Sequence, residues 1–176
     1  LMRKAVLSLA VDHPSLRSLI NPRQTSAITY STSNLNVADE TPDAFAAGPE
    51  PGAILPECPV TMMNAGHATE AHLTDLLRPG FTAIYFSEDG TIPAAFADFA
   101  PRVQGNALPF AVVPVSAHLN EASKSVYGWD HTGQLFSMYG ARPGAVYLVR
   151  PDGHVLGRWQ SANVGQITVA IEHALA

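Results

Sequence analysis

The 176-residue chain is 47% hydrophobic and 14% charged, with a formal net charge of −5, a globular composition with apolar side chains enough for the core of one ordinary domain. Its ten lysines and arginines are scattered, so no basic run or helix is available to neutralise phosphates, which argues against a nucleic-acid binder. The single cysteine, Cys58, excludes an intrachain disulfide and a CxxC pair and fits a reducing compartment, and no apolar stretch reaches the roughly 20 residues of a membrane span.

In chain order, residues 2–20 place Leu7, Val11, Leu16 and Leu19 at mostly helical spacing, interrupted by Pro14. Two short helical pieces fit. The apolar run behind Arg3 and Lys4, about seven residues over 5–11, is at the lower limit for a signal peptide, and Asp12 and His13 follow where a small-residue cleavage site would stand, so it reads as the end of an amphipathic helix. No cap or turn precedes Leu1, so the expectation is a cut through a longer chain; a native start is the alternative. Residues 21–60 hold Pro22, Pro42, Pro49, Pro51, Pro56 and Pro59 with Gly48 and Gly52, and read as a linker that wraps a surface between two units. The expected division is therefore a unit ending at residue 65 and a second domain over 66–176.

Within that second domain, Leu73, Leu76 and Leu77 suggest a short helix before Pro79-Gly80. Residues 81–86, Phe-Thr-Ala-Ile-Tyr-Phe, read as a buried strand. Residues 93–102 read as a helix with Pro93 near its first turn. Residues 110–115 read as a second buried strand, which Pro114 should end or bulge. A short helix is expected over 132–139, then strands over 145–150 and 154–159, joined by the hairpin signal Pro151-Asp152-Gly153. Asn163 can cap a closing helix over 163–175, with Ile167, Val169, Ala170, Ile171 and Ala174 as its apolar face. A helix between the first two strands implies that they are parallel; the tight turn makes the last two antiparallel. This order, a mixed sheet with helices on both faces, is α/β and thioredoxin-like, preceded by a helical and Pro-rich segment.

Thioredoxin chemistry needs a cysteine after the first core strand, where a helix N-terminus lowers its pKa. That position here is Ser87-Glu88-Asp89-Gly90-Thr91, with two carboxylates and no thiol. Cys58 lies far upstream without a basic neighbour and reads as inert. His67 and His72 are five apart, off one helical face, and no cysteine or carboxylate recurs around them at zinc-like spacing. His131 follows Asp130, which reads as a helix N-cap rather than a catalytic orienter. Residues 140–144, Gly-Ala-Arg-Pro-Gly, lack the spacing of a dinucleotide loop and precede a strand instead of following one. Gly140 suits a helix exit. Arg142, Arg150 and Arg158 read as solvated strand-edge charge. Tyr127, Trp129, Tyr139 and Tyr147 fit either core packing or an aromatic contact patch. No catalytic, cofactor-binding or metal residue is singled out.

The stretch over 139–159, YGARPGAVYLVRPDGHVLGRW, resembles the closing signature of flavin-dependent aromatic-ring hydroxylases of the phenol hydroxylase and 3-(3-hydroxyphenyl)propionate hydroxylase type. Residues 73–86, LTDLLRPGFTAIYF, are similar to the first helix and strand of the C-terminal domain of those FAD monooxygenases. Pro51-Gly-Ala-Ile-Leu-Pro56 is similar to the segment leading into it, and residues 30–33 and the N-terminal helix to the end of the FAD-binding part. The resemblance implies a thioredoxin-like C-terminal domain with a structural or dimerisation role, in a cytoplasmic homo-oligomeric parent that uses FAD and NAD(P)H on phenolic substrates. No catalytic or FAD-binding residue carries over, because the family's flavin motifs are absent from this chain. An independent peroxiredoxin-like thiol reductase acting through Cys58, and a free-standing binding module, are the alternatives.

Overall fold

In the computed structural model, residues 28–39, 45, 48–103, 105–123 and 125–176 are described. The helical pieces expected over 2–20 and part of the linker-like stretch lie outside the described residues. The described elements are β1 (Pro59–Asn64), β2 (His67–His72), a 3-10 turn (Leu73–Leu76), β3 (Phe81–Ser87), α1 (Ala94–Ala97), β4 (Arg102–Val103), β5 (Asn106–Ala107), β6 (Phe110–Ser116), β7 (Tyr127–Trp129), α2 (Gln134–Tyr139), β8 (Val146–Val149), β9 (Val155–Trp159) and α3 (Val164–Leu175). Seven strands form one mixed sheet in the order β2-β1-β7-β6-β3-β8-β9. β3 runs parallel to β6, and β8 antiparallel to β9, as the connections imply; β3 also runs antiparallel to β8.

Alternation along the central strands builds two apolar layers. Ala83 of β3 and Val146 and Leu148 of β8 turn to one face, where Ile167, Ala170 and Ile171 of α3 and Phe96 of α1 cover them. Ile84, Phe86, Tyr147 and Val149 turn to the other, where Leu135 and Tyr139 of α2 pack. Asn163 starts α3 as expected: its side chain accepts the Gln166 N–H at 3.0 Å, while the Gln166 side chain accepts the Asn163 N–H at 3.0 Å. Gly153 turns the last hairpin at φ 82, a conformation that a side chain would strain.

Four expectations change. The helix expected over 93–102 is a single turn, α1, which ends at Ala97 with Asp98 as its C-cap, and Pro101 keeps it from resuming further on. Pro114 neither ends nor bulges β6: the pairing to β7 begins only at Val115, so at Pro114 the strand has a ladder neighbour on one side alone. β7 is an additional strand of three residues around Gly128, too short to show a period. Finally, β1 and β2 form a hairpin around Ala65 (φ 48) and Gly66 (φ 82), so the division expected after residue 65 cuts through a two-residue turn. Pro59 is tolerated as the first residue of β1, while Val60 and Met63 are buried.

Pro49, Pro51 and Pro56, upstream of β1, lie in a described stretch that packs on this sheet. The described parts of residues 30–55 lie along the outer edge of β9. The Val37 N–H donates to Leu156 O at 2.9 Å, Gly52 N–H to Val155 O at 2.7 Å and Leu55 N–H to Gly153 O at 2.9 Å. Ile54 and His154 make an isolated antiparallel bridge. This strap closes one edge of the sheet.

Candidate functional site

Two places invite a functional reading: the C-terminal end of β3, where a thioredoxin-like sheet presents its nucleophile, and the polar network under the strap. The first is a cleft of about 600 Å³ lined by Tyr85, Ser87, Glu88, Asp89, Thr91 and Pro143, among others. The Asp89 carboxylate accepts from the Thr91 hydroxyl at 2.6 Å, from the Thr91 N–H at 3.0 Å and from the Ser87 hydroxyl at 3.3 Å. The Thr91 hydroxyl and N–H hold this carboxyl below its ordinary value against a small opposing effect of burial, with the Ser87 hydroxyl adding to them. The loop is closed on itself. Its hydroxyls serve the aspartate, whose lowered pKa makes the carboxylate a weak base towards them.

Cys58 lies elsewhere, fully buried in the core that includes Val60, Leu73 and Tyr139. Its N–H donates to Glu57 Oε1 at 3.1 Å. Burial pushes the thiol up, and the Asp130 and Glu57 carboxylates push it further. A thiolate nucleophile needs the reverse: exposure and nearby positive charge.

The described histidines build no metal cage, although His72 and His131 line one cleft with Glu70 and Asp75. His67 and His72 stand at opposite ends of β2, His72 Nδ1 lying 3.9 Å from Asp75, and the ring of His131 lies 5.7 Å from that of Trp129. Among the described residues no group of three or more His, Cys, Asp or Glu is placed to hold a metal ion. Asp130 does cap α2, from further back than expected. The N-cap position is Gly133, and buried Asp130 accepts the Phe136 N–H at 3.0 Å. Residues 140–144 lead from α2 to β8. Gly140 follows the helix at φ 55, and the Gly144 N–H donates to Phe86 O. A diphosphate in the cleft that Pro143 and Gly144 line would face the carboxylates of Glu88 and Asp89. These residues do not fit a dinucleotide cofactor.

The second place is where sequence reasoning went wrong. Arg142 is exposed, and Arg150 pairs with Asp152 beside the hairpin, but Arg158 is not solvated edge charge. It is 5% exposed. Its Nε donates to both oxygens of Asp39 at 3.0 Å and its Nη2 to Asp39 Oδ2 at 2.6 Å. Nη1 donates to the carbonyls of Gly48 at 3.1 Å and Pro49 at 3.2 Å. The guanidinium also lies 4.8 Å from the centre of the Phe45 ring. Burial works against its charge, but the Asp39 hydrogen bonds and the Tyr147 hydroxyl outweigh it and hold the group charged.

A register shift in the β8–β9 pairing gives β9 an extra residue beside Val149, and Arg158 then pairs with Tyr147 on the face that Phe45 covers. Tyr147 in turn donates to Tyr139 O, and Tyr139 donates to Pro56 O at 2.5 Å. Burial pushes Tyr147 up to about 12 and Tyr139 higher still. Tyr127, Tyr139 and Tyr147 are thus core residues, each 1% exposed or less, and Trp129 alone is part-exposed. Gly48 is required at its place: at φ 107 its Cα faces the Tyr139 carbonyl and the Tyr147 hydroxyl so closely that a Cβ would overlap both. Asp39 is 119 residues from Arg158, so no local pattern could have announced this pair.

No protein-family model matches the chain, and no curated protein matches it. Solved structures do. The flavin-dependent monooxygenase PieE, in complex with FAD and substrate, aligns with 84% of this chain at TM-score 0.52 and 21% identity. Aklavinone-11 hydroxylase, with FAD and aklavinone, aligns with 85% at TM-score 0.52 and 20% identity. Mycobacterium tuberculosis AhpC aligns with 73% at TM-score 0.51 and 13% identity. The chain spans 24% and 26% of the two flavoenzymes and 99% of AhpC. The likeness is one of fold: a thioredoxin-like mixed sheet that occurs both as a portion of flavin-dependent hydroxylases and as a nearly whole protein.

Proposed function

We propose that this chain is a non-catalytic thioredoxin-like domain of an FAD- and NAD(P)H-dependent aromatic-ring monooxygenase, and that it serves structure and assembly. The observation that carries the reading is the use of the buried polar groups. The best-built polar constellation, Arg158 with Asp39, Tyr147 and the Gly48 and Pro49 carbonyls, grips the chain's own upstream strap and leaves no donor set for a substrate. The YGARPGAVYLVRPDGHVLGRW stretch and the fold shared with about a quarter of PieE and of aklavinone-11 hydroxylase support the flavoenzyme parent. The unit begins at the strap, upstream of residue 66. Flavin and nicotinamide chemistry belong in this reading to a part of the parent outside this chain, in the cytoplasm. No described helix is long and apolar enough to cross a membrane.

The test is the reading frame upstream of Leu1, expressed with this chain. The expected result is a yellow protein that oxidises NAD(P)H with a phenolic substrate, while the 176-residue chain alone retains no flavin. Stoichiometric FAD on the chain alone, or an upstream frame without a flavin-binding region, overturns the reading. The AhpC fold gives a thiol peroxidase a hearing. Against it stand the burial of Cys58 and its raised thiol pKa. Peroxide turnover that is lost in Cys58→Ser would establish the thiol enzyme instead.

A further inference from the structure

The two edges of the sheet are finished differently. The strap covers β9. At the other end β2 is the outermost strand, and among the described residues nothing pairs with its outer side. Five of its six residues are exposed. The sequence His67-Ala-Thr-Glu-Ala-His72 has no proline, lysine or glycine, and its pairing to β1 runs without a register shift. Of the usual guards against edge pairing, proline, lysine and a bulge are missing, and Glu70 is the one acidic residue on the strand. We propose that this edge pairs antiparallel with the same edge of a second copy of the chain, about a twofold axis at Thr69. The proposal rests on the assembly role proposed above and names its surface.

Backbone geometry selects the register. Pro59 pairs with His72, and one step further along the same ladder the Leu73 N–H donates to Cys58 O at 2.9 Å. Odd-numbered residues of β2 therefore turn their polar backbone groups to β1, and Ala68, Glu70 and His72 turn theirs outward. The outward His72 N–H is already taken, donating to Asp75 Oδ2 at 2.8 Å. The open donors are Ala68 and Glu70. Directly opposed residues in an antiparallel ladder must both turn inward, so only registers that match even-numbered residues can form.

Setting Glu70 opposite its own copy brings two carboxylates together and calls on the occupied His72 N–H. Setting Ala68 opposite its own copy leaves Glu70 to face the hairpin turn at Gly66. Setting Ala68 opposite the copy's Glu70 lets each residue exchange both its backbone bonds, and no like charges face each other. That register places Thr69 opposite Thr69 in a non-hydrogen-bonded pair, a favourable cross-strand match. A contact made by one short strand is small, so the dimer belongs to the weak, concentration-dependent class.

The 176-residue chain is tested by sedimentation over a dilution series from micromolar to millimolar. Reversible dimerisation is expected. Ala68→Pro removes an outward N–H and no bond to β1, so it should weaken dimerisation by at least about tenfold while leaving the circular dichroism unchanged. Thr69→Cys under mild oxidation should give a disulfide-linked dimer far faster than His67→Cys, whose thiols lie apart in this register; this arm stands even if the proline variant fails to fold. A monomer at every concentration, an undiminished dimer in folded Ala68→Pro, or equal cross-linking at 67 and 69 overturns the proposal. A monomeric folded chain leaves the flavoenzyme reading intact, whereas an upstream frame without a flavin-binding region leaves the edge contact intact.

Discussion

Asp39→Ala removes the anionic half of a pair that is almost wholly out of water, with side-chain exposures of 4% for Arg158 and 11% for Asp39. The guanidinium cannot shed its proton, so it stays charged with the Gly48 and Pro49 carbonyls, the Tyr147 hydroxyl and the Phe45 ring beside it but no anion. Breaking one side of a buried pair costs about 3–5 kcal/mol, and the two remaining carbonyls place this case near about 3 kcal/mol. For a chain of this length that lowers Tm by roughly 6–12 °C. Arg158→Met keeps the aliphatic stem and removes the charge that needs a partner. The double variant should therefore recover about 1–3 kcal/mol relative to the sum of the two single losses. Urea titrations of the four proteins give the cycle. Hydrogen exchange locates the effect: the amides of Val37 and Gly52, which bond to β9, should open in Asp39→Ala before those of β3. An Asp39→Ala protein within about 0.5 kcal/mol of the parent, or single losses that simply add, would refute the clamp.

Tyr139 and Tyr147, both held protonated by burial, predict alkaline unfolding. Their folded pKa values lie above the unfolded value of 10.0, so their contribution is complete below pH 10 and is lost as pH rises towards 12. The slope is about 1.4 kcal/mol per pH unit for each tyrosine, readable in urea titrations between pH 9 and 12, and should roughly halve in Tyr147→Phe. A flat profile would count against burial of both hydroxyls. Cys58 should react with a thiol reagent at least about a hundredfold more slowly in the native chain than in urea, since only opened molecules expose it; labelling at the rate of a free thiol would return it to the list of candidate nucleophiles. Asn163→Ala removes the cap on α3 and should cost about 1 kcal/mol in thermal or urea unfolding, while Asn163→Asp should cost far less.

What could be read from the sequence follows the range of the interactions involved. β3, β6, β8, β9 and α3 announce themselves because each buries a continuous or periodic apolar set that is local in the chain. Pro151-Asp152-Gly153 and Asn163 with Gln166 are likewise local chemistry. The β1–β2 hairpin was hidden by Pro56 and Pro59 and by an outer strand whose exposed residues carry no hydrophobic alternation. Prolines mark a linker only if nothing nearby accepts the chain as a neighbour. Here β9 accepts it, through bonds from Val37, Gly52 and Leu55. The Asp39–Arg158 pair lay beyond reach for the same reason, because nothing in the local sequence of either residue shows that they meet.

These readings bear on what the domain is for. A thioredoxin-like sheet built for catalysis would present its reactive group at the end of β3, with a helix N-terminus aimed at it. Here that end carries an aspartate satisfied by Thr91 and Ser87, followed by a helix of a single turn. The chain's one thiol is sealed in the core, and the one buried cation among the described residues is committed to the strap. The Asp89 carboxylate, the Cys58 thiol and the Arg158 guanidinium are thus each held within the fold. In the seven-stranded sheet the outer side of β2 offers backbone donors and acceptors that no described strand takes up, and those suit the assembly proposed above.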